Sequence, residues 1–175
     1  MKKTLFLLML AAIIFSCNNS ANNSMSDHAA DNKAKAQRFY DEVINAHSTA
    51  TIDSFCAEGF TDHNPSYGHS GKGSADLKAT FNEMFASFPD VKATPEFIIA
   101  KGDTVVAYLT MTGTNSGAMG NMPATNKSFK FNGIDIVVIK DGKATERWGV
   151  FDDYSMMTQL GMIPSGDTTT MKNKK

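Results

Sequence analysis

The stretch Ser128-Phe-Lys-Phe-Asn-Gly-Ile-Asp-Ile-Val-Val-Ile-Lys140, followed by Asp141-Gly142 and then Lys143-Ala-Thr-Glu-Arg-Trp-Gly-Val-Phe151, reads as one β-hairpin. Asp-Gly supplies the two positive-φ residues of a type I′ turn, so Lys140 is expected to pair with Lys143. Counting outward without interruption sets Ile139 against Ala144, Val137 against Glu146, Asp135 against Trp148, Gly133 against Val150 and Phe131 against Asp152. Side chains alternate along a strand, so these residues are expected to share one sheet face.

That face mixes Phe131, Val137, Ile139, Trp148 and Val150 with the carboxylates Asp135, Glu146 and Asp152. If its apolar members line a cavity, desolvation raises the pKa of a carboxylate among them and suits it to general acid/base work near neutral pH. Asp152 is the first candidate because it ends a strand beside Phe131, Trp148 and Val150, and it can equally cap a following helix. Asp135 is the second, either as a reacting group or as a buried carboxylate satisfied by hydrogen bonds. At about 3.4 Å per residue the two stand roughly 13 Å apart, too far to share a proton. A bulge at Gly133 or Gly149 would shift the register by one and exchange the faces. The opposite face carries Ile134, Ile136 and Val138, and one of the two faces is expected to pack against a second subunit in a homodimer or higher homo-oligomer.

Upstream, the residues between Ala29 and His47 place Ala36, Phe39, Tyr40, Val43 and Ile44 at helical spacing. Ile52, Phe55 and Cys56 suggest a shorter helix ended by Gly59, and Phe60 to Asn64 a short strand. A glycine-containing loop leads to a third helix, capped by Ser74 or Asp76 and closed by Pro89. From there the period changes to two: Phe97 to Ala100 and Thr104 to Gly113 flank a Lys101-Gly102-Asp103 turn. Thr114 to Asn126 forms a loop long enough to act as a lid. A last helix spans Asp153 to Leu160.

At the other end, Lys2 and Lys3 precede an apolar run from Leu5 to Phe15, a pattern of secretory signals that is too short to span a bilayer. The chain is expected to divide into a signal peptide over residues 1–16, a flexible tether over 17–28, one folded domain over 29–164 and a flexible tail over 165–175. Lys+Arg 17 against Asp+Glu 18 leaves a net charge of -1, with no basic surplus to neutralise a phosphate backbone, so nucleic acid is not expected as a partner. Two cysteines cannot make a disulfide framework.

Asp62-His63-Asn64 and His69 form the other polar cluster with chemical potential. His63 is a candidate base or hydrogen-bond donor, because imidazole titrates near neutral pH. His63 and His69 lie six apart across a proline and glycine loop without a third ligand, so no metal is expected. No nucleophile elbow, P-loop or dinucleotide fingerprint occurs, and no cofactor is expected.

Ile14-Phe15-Ser16-Cys17 resembles the lipobox of bacterial lipoproteins, which implies cleavage before Cys17 and its lipidation. The chain would then reside in the cell envelope, touching the membrane through its N-terminal lipid only, on an outer membrane facing the periplasm. Phe60-Thr-Asp-His-Asn-Pro, Phe131-Asn-Gly-Ile-Asp-Ile, Asp141-Gly-Lys-Ala-Thr-Glu-Arg-Trp, Phe151-Asp152 and Gln159-Leu-Gly-Met-Ile-Pro164 resemble the SnoaL-like polyketide cyclase, or ester cyclase, family. The resemblance implies an α+β fold, the nuclear-transport-factor-2-like cone, with N-terminal helices packed on a curved antiparallel sheet. It also implies a pocket aspartate acting as general acid/base in an aldol ring closure without metal or cofactor. By position that aspartate is Asp152, with His63 or Asp135 steadying the developing oxyanion and Trp148, Phe131 and Val150 contacting substrate. Arg147 stands where many relatives carry a histidine before the tryptophan. Two functions are expected: a cofactor-free cyclase or isomerase acting on a small hydrophobic carbonyl compound, or a non-catalytic binding protein for a small hydrophobic molecule.

Overall fold

In a computed structural model, the structure describes residues 20–164, with side chains from His28 onward. The signal peptide and Cys17 therefore lie outside the described residues. Helix α1 (Ser20–Phe39) runs into a π-helical turn (Tyr40–Ile44), followed by α2 (Ile52–Phe55), β1 (Cys56–Asp62), α3 (Gly73–Ser87), β2 (Lys92–Lys101), β3 (Thr104–Thr114), β4 (Ser128–Lys140), β5 (Lys143–Phe151) and α4 (Asp153–Gln159). Helix α1 begins within the segment read from sequence as a tether, and Cys56, read as helical, opens β1 instead.

The five strands form one mixed sheet in the order β1-β5-β4-β3-β2. Four are antiparallel, and β1 joins the far edge parallel to β5. Helix α1 lies against β2 and β3, α3 against β1, and α4 against β4. These contacts bury Val105, Ala107, Leu109, Phe129 and Phe131 on the covered face. Asn32 of α1 donates to the carbonyls of Gly102 (3.1 Å) and Ile139 (3.3 Å), locking the helix to the ends of both hairpins. Neither Ser74 nor Asp76 caps α3. Asp76 instead accepts the backbone N–H groups of Ser70 (3.3 Å) and Gly71 (2.8 Å), which holds the preceding loop. The Thr114 to Asn126 loop is likewise pinned. Fully buried Asn115 donates to Gly117 O at 2.7 Å and accepts from Thr125 N–H at 2.9 Å.

The final hairpin begins as the sequence dictates. Asp141 and Gly142 both adopt positive φ, Lys140 pairs with Lys143, and Ile139 pairs with Ala144. One step further the ladder slips, so that Val138 pairs with Glu146, Val137 with Arg147, Ile136 with Trp148 and Asp135 with Gly149. Thr145 is the extra residue. Its hydroxyl donates to Val138 O at 3.3 Å and so serves a carbonyl at the point of irregularity. This bulge, nearer the turn than Gly133 or Gly149, corrects the uninterrupted register and moves every later side chain of β5 to the opposite face. Arg147 now shares the covered face with Asp135, while Trp148 and Val150 turn outward.

Gly133 and Gly149 make room for two bulky neighbours. A Cβ on Gly133 would collide with the Phe151 ring, and one on Gly149 with the Arg147 guanidinium. Gly133→Ala is therefore expected to cost about 2 kcal/mol through overpacking, read as a lower midpoint in urea unfolding monitored by circular dichroism.

Candidate functional site

Alternation along β4 points Asp135 under the helices, where it is 7% exposed. The shifted β5 brings Arg147 beside it, and the parallel end of β1 adds Asp62, paired in register with Arg147. Tyr40 enters from the π-helical turn, a local widening that recurs at functional sites. These four side chains form one network. Arg147 Nε donates to Asp135 Oδ1 at 2.9 Å and its Nη2 lies 2.6 Å from the same oxygen, while Nη1 donates to Asp62 Oδ2 at 2.6 Å. The Tyr40 hydroxyl donates to Asp135 Oδ2 at 3.3 Å.

Burial dominates the electrostatics. It pushes the Asp135 carboxyl above the usual carboxylate range against the opposing pull of Arg147. Burial and the neighbouring Asp135 likewise raise the Tyr40 phenol well above its ordinary value. Burial works against the Arg147 charge, yet Asp135 and Asp62 outweigh it and hold the guanidinium protonated. Arg147 also lies over the Phe151 ring, 5.7 Å from its centroid. Its side chain is 22% exposed, against 7% for Asp62 and 9% for Asp135, so Arg147 is the least enclosed of the three charged residues. Three of its five N–H groups can serve these carboxylates, leaving two for an incoming acceptor.

The residues singled out from sequence do not assemble as one site. Asp135 and Phe131 lie inside, with the Phe131 ring edge-on to Phe151 at 6.3 Å. Trp148 and Val150 lie on the outer face. His63 stacks on Trp148 with ring centroids 4.3 Å apart, and its Nε2 is 3.0 Å from Glu146 Oε2. It is therefore separated from Asp135 by the sheet. Asp152 is exposed, and its carboxylate accepts the Ser155 N–H at 2.9 Å as the cap of α4. His69 sits between Asp76 (3.4 Å) and Glu83 (3.2 Å), and the Glu83 hydrogen bond raises its pKa. Among the described residues no group of three or more His, Cys, Asp or Glu side chains is placed to hold a metal ion. Sequence reasoning missed Arg147, Asp62 and Tyr40 as partners of Asp135. An arginine on a strand rich in apolar residues was the available signal, hidden by the face to which the unbulged register assigned it.

A cavity of about 520 Å³ lies between α1 and β2, is lined by residues such as Lys33, Gln37, Glu96 and Phe97, and includes no member of the network. A narrow crevice between β1 and α3, bounded by Phe60, Asp62, Gly71 and Leu77, leads to the Asp62 side of the cluster.

This architecture matches a known class. The sequence pattern of the SnoaL-like polyketide cyclase family covers residues 34–160, and the chain belongs to that family. A candidate polyketide cyclase from Bacillus cereus ATCC 10987 is 31% identical, with 76% of this chain and 82% of that one aligned at a TM-score of 0.66. IdmH, a candidate polyketide cyclase from Streptomyces antibioticus, is 24% identical over 74% of this chain and 98% of its own, also at 0.66. AclR, a candidate hydroxylase from Streptomyces galilaeus, is 20% identical over 82% and 88%, at 0.71. The last two establish the fold alone. No curated protein matches the chain.

Arg147→Met leaves two buried carboxylates without their cation and is expected to cost about 3–5 kcal/mol in urea unfolding at pH 7, partly recovered by adding Asp62→Asn. The raised Asp135 pKa carries its own signature. Above about pH 4 the unfolded chain releases this proton while the folded chain retains it, so the wild type loses stability with rising pH until the folded pKa is passed. Asp135→Asn removes that slope, which unfolding curves collected from pH 4 to pH 7 measure directly.

Proposed function

We propose that this chain is an exported, lipid-anchored SnoaL-like protein that performs cofactor-free proton transfer on a small hydrophobic carbonyl compound, with Asp135 as general acid/base. The observation that carries this reading is the pairing of a buried carboxyl of raised pKa with a guanidinium that keeps two N–H donors beyond those directed at Asp135 and Asp62. In the proposed sequence Asp135 removes a proton from the carbon next to a carbonyl, and the electron pair of that C–H bond moves onto the carbonyl oxygen as an enolate. Arg147 donates hydrogen bonds to that oxygen as charge develops. The enolate carbon then attacks a second carbonyl of the same molecule, forming the ring C–C bond, and the new alkoxide takes the proton back from Asp135. Tyr40 and Asp62 hold the two reacting groups in register. Phe131 and Phe151 form the apolar wall beside them. The substrate reaches Arg147 along the crevice between β1 and α3, which widens to admit it.

Asp152, the family-based candidate, serves in this reading as the cap of α4, and His63 remains outside the reacting cluster. Export and anchoring rest on Lys2, Lys3 and the Ile14-Phe15-Ser16-Cys17 sequence, which together fit an envelope lipoprotein, here assigned to the outer membrane facing the periplasm. The second reading is a binding protein that holds a hydrophobic molecule without turnover. The apolar wall of Phe131 and Phe151 serves that reading equally, and one fold hosts many functions.

Mass spectrometry of small molecules co-purifying with the wild type, Asp135→Asn and Asp152→Asn separates these readings. A carbonyl compound accumulating on Asp135→Asn alone is the expected result. The same molecule on all three identifies a binding protein. Accumulation on Asp152→Asn alone returns the catalytic role to Asp152.

A further inference from the structure

The loop that joins β1 to α3, residues 63–72, forms one wall of the crevice leading to Asp62. Pro65 and Gly71 bound the crevice from the loop, and Leu77 and Thr80 bound it from α3. Asp62 grips this loop at both ends. Its Oδ1 accepts the Asn64 N–H at 2.9 Å and its own N–H donates to Gly71 O at 2.7 Å, while its Oδ2 holds Arg147. Gly71 sits so close to the Asp62 carbonyl that a Cβ there would collide with it. Beyond Asp62, the hold on the loop comes from α3. Residues 63–68 and Ser70 are exposed, and His69 is the one side chain among them that tucks in, 8% exposed. A segment with so few buried contacts belongs to the part of a fold that opens most easily.

That hold is ionisable. His69 Nδ1 lies 3.4 Å from Asp76 Oδ1 and its Nε2 lies 3.2 Å from Glu83 Oε2, so the ring bridges two carboxylates of α3. Asp76 also accepts the Ser70 and Gly71 N–H groups, which gives the loop backbone and the ring one shared anchor. We propose that His69 is a pH-sensitive latch on the crevice: protonated, it holds the loop against α3 and closes the way to Asp62 and Arg147, and neutral, it lets the loop swing out. The donor count supplies the chemistry. Imidazolium presents an N–H to each carboxylate, whereas neutral imidazole has one N–H and turns a lone pair toward the other carboxylate. Among the described residues the charges acting on the ring are those of Glu83 and Asp76. The loop's one lysine, Lys72, donates to Thr61 Oγ1 at 3.2 Å instead, and His63 lies on Trp148. The Glu83 hydrogen bond outweighs burial and raises the His69 pKa, while a ring released to water titrates near 6.5. Protonation therefore favours the closed loop fully below about pH 6.5, and that preference is lost as the pH rises through the raised pKa of the closed state.

The latch rests on the proposed function for the crevice as the route to Arg147, and on none of its chemistry. Its test is hydrogen exchange of the full chain in detergent from about pH 5 to about pH 9, corrected for intrinsic amide exchange, beside an NMR titration of the His69 ring. Protection of the Asp62, Ser70 and Gly71 amides is expected to fall about fivefold as the pH passes the measured His69 pKa, in line with the loss of two partly exposed ion pairs, with the β3 amides unchanged. Glu83→Gln, at a side chain 73% exposed, is expected to lower that pKa and carry the exchange transition down with it. A histidine that only fills space would leave the two unlinked. His69→Gln is expected to abolish the transition and hold these amides at their high-pH protection throughout. A wild type without the transition, or a transition that Glu83→Gln does not move, overturns the latch. So does a His69 pKa at or below about 6.5. None of these readouts uses turnover. A flat exchange profile removes the latch and leaves the Asp135 chemistry to the mass-spectrometric comparison, whereas accumulation on Asp152→Asn alone corrects that chemistry and leaves the latch in place.

Discussion

A guanidinium buried between two carboxylates is the constraint on which the rest of this fold depends. Removing Arg147, Asp62 and Asp135 from water costs several kcal/mol per charge, and only close, well-oriented pairing returns it. The pairing needs ligands from three strands. Asp135 comes from β4, Arg147 from β5 and Asp62 from the end of β1, which explains why β1 closes the sheet edge in parallel with β5. It also needs space against the sheet, which Gly149 supplies by having no side chain where the guanidinium lies. Tyr40 completes the shell from the π-helical turn, so a local irregularity in the first helical segment and one in the last hairpin serve the same four side chains.

Much of this architecture was legible because it is set locally. The Asp141-Gly142 turn, the amphipathic helix that presents Tyr40, the strand period after Pro89 and the α4 helix each follow from residues within a few positions of one another. The placing of Asp135 and Phe131 on one shared face followed from alternation and stands in the structure, where both are buried. The assignment of Trp148 and Val150 failed because one unpaired residue, Thr145, separates the turn from the rest of β5. Nothing nearby forces that bulge. Its support is distant: a hydroxyl contact to Val138 across the hairpin and an irregular pairing of the same segment with β1, where Cys56 meets Ala144 and Thr61 already meets Glu146.

Asp152 and His63 illustrate a different limit. A carboxylate at a strand end followed by a helix suits both a catalytic base and a cap, and the Ser155 N–H decides for the cap. A histidine beside a buried aspartate suits a paired site. Successive residues at the end of β1 nevertheless point to opposite sides, so Asp62 reaches Arg147 while His63 lies on Trp148. Adjacent positions in sequence thus serve the inner and outer faces.

The same bulge therefore determines both surfaces of β5 at once. Were Thr145 accommodated in the ladder, Arg147 would face solvent and Trp148 would enter the interior, leaving Asp135 without its cation and the outer face without its largest side chain. A buried carboxylate deprived of that partner would have desolvation, which favours the neutral form, largely unopposed. With the bulge, the Arg147 field opposes desolvation and moderates the rise in the Asp135 pKa. A one-residue insertion in a strand thus couples the electrostatics of the interior to the apolar character of the exterior, and a substitution that slips the register disturbs both together.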